Sequence, residues 1–119
     1  MCDATDMVHT ITYWTRDRTR GPLHGIEEMV RRLTSANAEA IGLCDRGRIA
    51  PGMRADINVV NYDELQLQVP EVSYDLPTGG KRLLQRSAGF DATIVAGVPT
   101  WRHGEATGAL PGRLLRSGH

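Results

Sequence analysis

The sequence predicts an α+β fold: helices first, then a small, mostly antiparallel β-sheet. Three observations carry this. Apolar residues recur at helical spacing up to about Leu43. Gly and Pro punctuate the chain after it, at Gly47, Pro51-Gly52 and Gly79-Gly80. Between those breaks lie short β-branched runs, Ile57–Val60 and Ala92–Ala96.

The first helix is expected over Met7–Trp14. Met7, Ile11 and Trp14 hold the i, i+4, i+7 spacing of one face, and Asp6 is a candidate cap. Thr5, Thr10, Thr12 and Thr15 weaken it through stiff side chains. The run Arg16–Arg20 before Gly21-Pro22 reads as a solvated exit and a break. A second helix is clearer, with Ile26, Met29, Val30 and Leu33 on one face. Glu27 and Glu28 precede Arg31 and Arg32 by one turn, which predicts two i,i+4 pairs aligned with the helix dipole. Ser35 is expected to cap a third, short helix to about Ile41, ended by Gly42, with Ala36 and Ala40 allowing close packing.

The extended part follows. Ile57–Val60 reads as a buried strand, and Arg82–Gln85 and Ala92–Ala96 as two more. A short strand around Leu65–Val69 is expected before Pro70. Gly97 turns the chain into Pro99–Arg102, which should be an edge strand or hairpin arm because Pro donates no ladder bond. In the tail, Leu114 and Leu115 are the expected anchors.

Length and composition bound the rest. The chain has 119 residues, about one domain. Leu, Ile, Val and Phe make up about a fifth of it, close to the lower limit for a packed core. Fourteen basic residues face fourteen acidic ones. That balance argues against nucleic acid and against a polybasic membrane anchor. No apolar run reaches the roughly 18 residues of a membrane helix, and the N-terminus does not read as a signal peptide. Cys2 and Cys44 are the two cysteines, read as reduced thiols in a cytoplasmic protein.

Local motifs give no catalytic centre. His9, His24, His103 and His119 are scattered, with no metal-binding spacing. Thr78–Arg82 lacks the spacing of a phosphate loop and reads as a Gly-Gly turn. Asp56 stands at the entrance to an apolar strand, where its carboxylate should satisfy N–H groups of the Pro51-Gly52 turn.

One stretch is diagnostic. Residues 47–60 fit G-x-I-x-P-G-x-x-A-D-x-x-V-V, with Gly47, Pro51, Gly52, Ala55 and Asp56 as its structural positions. This resembles the re-entry into the small β-sandwich of the amidohydrolase superfamily. Arg32–Leu43 looks like the terminal helices of that superfamily's barrel, and Tyr74–Arg116 is similar to the C-terminus of N-acyl-D-amino-acid deacylases. Cys2–Ala4 and Tyr13–Gly21 look like the stretch after the last barrel strand of those enzymes.

The resemblance implies residues 1–43 at the end of a TIM-type barrel and 44–119 in a partial β-sandwich. It implies hydrolysis of the amide C–N bond of N-acyl-D-amino acids by a zinc-dependent enzyme. The zinc ligands and the catalytic Asp are expected upstream of Met1, so no metal, cofactor or catalytic residue is assigned to this chain. Cys2 and Asp3 would lie near the substrate. The leading expectation is a C-terminal piece, inactive alone. A second is an interaction module that self-associates as a dimer or larger, or pairs with a barrel-bearing chain. A third is a small enzyme whose site forms at an oligomer interface from His9, Cys44 or His103.

Overall fold

The computed structural model describes residues 5–115. It is α+β, with three short helices ahead of eight short strands, all paired antiparallel. Among the described residues no helix is long and apolar enough to cross a membrane.

Helix α1 spans Asp6–Thr12 and is shorter than the spacing predicts. Tyr13–Asp17 follows as a π-helical turn, closed by the Arg18 N–H on the Tyr13 carbonyl at 2.9 Å. Threonines account for part of this. Thr12 and Thr15 donate back to the carbonyls of Val8 and Ile11, a pattern that bends helices. Asp6 is the first helical residue and not the cap; Thr5 holds the cap position without a capping bond, its hydroxyl donating to Gln85 Oε1 instead.

Helix α2 spans Ile26–Leu33 and buries Met29. Both of its ion pairs converge on Glu28, from Arg31 and Arg32, rather than one on Glu27 and one on Glu28. Helix α3 spans Ser35–Ala40. Ser35 lies inside it and Thr34 is the cap residue, again without a capping bond, its hydroxyl donating back to the Val30 carbonyl. Its end is as expected: Gly42 takes φ +75°, the Leu43 N–H reaches the Ala38 carbonyl and the Gly42 N–H that of Glu39. That pair of bonds is the Schellman stop. Ala38, not Ala36 or Ala40, is the buried small residue. Gly47 packs on it: a Cβ there would stand 2.9 Å from the Ala38 Cβ.

The main sheet has the order β1-β6-β7-β8, with β1 at Ile57–Val60, β6 at Phe90–Val95, β7 at Val98–Arg102 and β8 at Glu105–Ala106. Strand β1 is therefore an edge. Val59 and Val60 are exposed, which corrects the expectation of a buried strand: nothing in the described chain covers them. Strand β7 is a hairpin arm, as expected, but not an edge. It lies between β6 and β8, and tolerates Pro99 because Thr100 is an extra residue, Thr93 pairing with Trp101 and Ile94 with Pro99. The Ala96-Gly97 and His103-Gly104 turns both have two positive φ values, the condition for type I′ hairpins.

Two ribbons complete the fold: β2 (Gln66–Leu67) with β5 (Ser87–Ala88), and β3 (Glu71–Ser73) with β4 (Arg82–Leu84). The core is thin. Among the described residues Val8, Met29, Ala38 and Leu65 are the buried apolar ones, and Leu65 at 1 % exposure is the deepest of them. Gly89 closes on it with φ +92°; an added Cβ would fall 2.6 Å from the Leu65 Cα. Leu114 and Leu115 are exposed and do not anchor the tail.

Candidate functional site

The diagnostic stretch forms a seat for a hairpin. Pro51-Gly52 makes the turn, with Gly52 at φ +83° and the Met53 N–H on the Ala50 carbonyl. The chain then enters β1 beside the Ala96-Gly97 turn. The Ala55 carbonyl accepts the Gly97 N–H at 2.9 Å, and Asp56 Oδ1 accepts the Ala96 N–H at 2.8 Å. So Asp56 does cap a turn, but the turn between β6 and β7, some forty residues away. Its carboxylate also takes Arg54 Nε at 2.9 Å and an Arg46 nitrogen at 3.4 Å. Arg46 reaches Asp45 as well, and that hydrogen bond pulls the Asp45 carboxyl below its usual range. Both carboxylate oxygens of Asp56 thus have a structural use.

A second junction ties the helices to the sheet. Arg16 donates to the carbonyls of Tyr62 at 2.7 Å and Leu65 at 2.8 Å, and to Asp17. Thr15 Oγ1 and the Tyr62 hydroxyl lie 2.6 Å apart. The Asp17 hydrogen bond raises the Arg16 pKa and lowers that of Asp17. The expected solvated exit is therefore corrected at Arg16. Its partners are 46 and 49 residues distant, and a charge-rich run gives no sign of them.

An aromatic array lines the outer side of the π-turn. His9 stacks on Tyr13 at 5.3 Å, Trp14 meets Tyr13 and His24 edge-on, and the Arg18 guanidinium lies 4.6 Å from the Trp14 ring centre. In sequence it closely follows Cys2 and Asp3, which lie outside the described residues.

An open cleft of about 700 Å³ lies on the β6–β7 face, bordered by Glu64, Arg86, Phe90, Trp101, His103 and Glu105. The His103 imidazole stands 3.7 Å from the Asp91 carboxylate, too far for a hydrogen bond, and both side chains are largely exposed. No nucleophile is hydrogen-bonded to an imidazole among the described residues. The three candidates for an interface site sit on different elements of the chain. His9 lies on α1, Cys44 is free and exposed in the α3–β1 connection, and His103 sits in the β7–β8 turn. Among the described residues no three His, Cys, Asp or Glu are grouped to hold a metal ion. Nor does any buried side-chain nitrogen or oxygen there lack a partner that an ion could supply.

Similarity to known proteins supplies what the side chains do not. A model described as "Amidohydrolase family" matches residues 2–105. An N-acyl-D-glutamate deacylase from Alcaligenes xylosoxydans xylosoxydans is 32 % identical over 91 residues, 76 % of this chain and 17 % of the relative. A D-aminoacylase from the same organism is 30 % identical over 103 residues, 87 % of this chain and 19 % of the relative. The chain thus spans under a fifth of the length of these curated relatives. No solved structure matches it significantly.

Proposed function

The chain belongs to the amidohydrolase family, and from that premise we propose that it is the C-terminal closing segment of an N-acyl-D-amino-acid deacylase. The observation that carries this is the family match over residues 2–105, seconded by two relatives whose names specify deacylation of D-amino-acid derivatives. In this reading residues 1–43 close the barrel, residues 44–119 lie in the adjoining sandwich, and the enzyme works in the cytoplasm. Exposed Val59 and Val60 on the β1 edge and exposed Val30 on α2 are the surfaces such an assembly would cover.

In the enzyme of this reading a bound zinc ion would lower the pKa of its water to about 7 and polarise the amide carbonyl. The donors on this chain do not fit that ion: its described His, Cys, Asp and Glu residues form no ligand group. The metal ligands and the general base belong to the remaining four-fifths of the enzyme. This chain's own residues do positional work. Asp56 fixes the β6–β7 hairpin, and Arg16 fixes the helices against Tyr62 and Leu65. Cys2 and Asp3, a few residues before the aromatic array in sequence, are the residues this reading sets near the substrate. TIM barrels build their sites in the loops after the strands.

The test is turnover and metal content of the purified chain. Incubation with N-acetyl-D-glutamate and added zinc should release no D-glutamate, and dialysis should leave no stoichiometric zinc. Release that a chelator abolishes would overturn the assignment of the catalytic groups to residues outside this chain.

A further inference from the structure

We draw no further inference here: the strongest candidate, the exposed apolar face of the β3–β4 ribbon at Val72 and Leu83, carries nothing because nothing in the structure shows what covers it.

Discussion

Asp56→Ala is the most informative single substitution. The side chain accepts the Ala96 N–H at 2.8 Å and carries Arg54 at 2.9 Å and Arg46 at 3.4 Å. A hydrogen bond to a charged acceptor is worth about 1.5–3 kcal/mol. The side chain is 28 % exposed, so water replaces part of that, and the two arginine pairs add under about 1 kcal/mol. A net loss of about 1.5 kcal/mol follows, and for a chain of this length that lowers Tm by roughly 6 °C. Asp56→Asn keeps an acceptor oxygen for the Ala96 N–H and should cost about half as much. Urea unfolding followed by circular dichroism measures both. An Asp56→Ala variant within about 0.3 kcal/mol of the parent would refute the hairpin-seat account. Equal losses for Ala and Asn would show that charge, not the turn N–H, is what matters.

Other outcomes follow from the same contacts. Gly89→Ala should destabilise by about 2–3 kcal/mol, since φ +92° and the Leu65 backbone both oppose a Cβ; a neutral effect in the same unfolding assay would contradict the packing at Leu65. Arg16→Met should cost about 1–3 kcal/mol and speed amide exchange at the Tyr62–Leu65 turn more than in β6, because two carbonyls lose their donor. Acidification should fray α2. Arg31 and then Arg32 hold the Glu28 carboxyl at about 2, below its ordinary value of 4.5. Its stabilising contribution is therefore complete above about pH 4.5 and is lost as pH falls toward 2, and Glu28→Gln should flatten that part of the helicity profile.

The sequence speaks most clearly where a feature is local. Helix α2, the Gly42 stop and the Pro51-Gly52 turn each rest on neighbours within a few residues and stand where expected, except that Val30 of the predicted α2 face is exposed. What it does not show is long-range. Asp56 is legible as a turn-capping carboxylate, but two turns lie within reach and only the tertiary fold selects Ala96. Arg16 looks like surface charge, since its partners come from a turn more than forty residues on. Ile57–Val60 reads as buried by composition, yet burial depends on a neighbour the described chain lacks. Strands β5 and β8, two residues each, are below the length at which alternation can be read. Cys2 and Asp3, the residues expected near substrate, lie outside the described residues.

The central claim is that these residues complete a deacylase, and a chimaera tests it most directly. Residues 2–105 would replace the matching segment of the N-acyl-D-glutamate deacylase, with D-glutamate release measured against that enzyme and against a version lacking the segment. The account predicts that the chimaera hydrolyses N-acyl-D-glutamate while the shortened enzyme does not. A chimaera that folds and binds its metal, yet releases no D-glutamate, would contradict it.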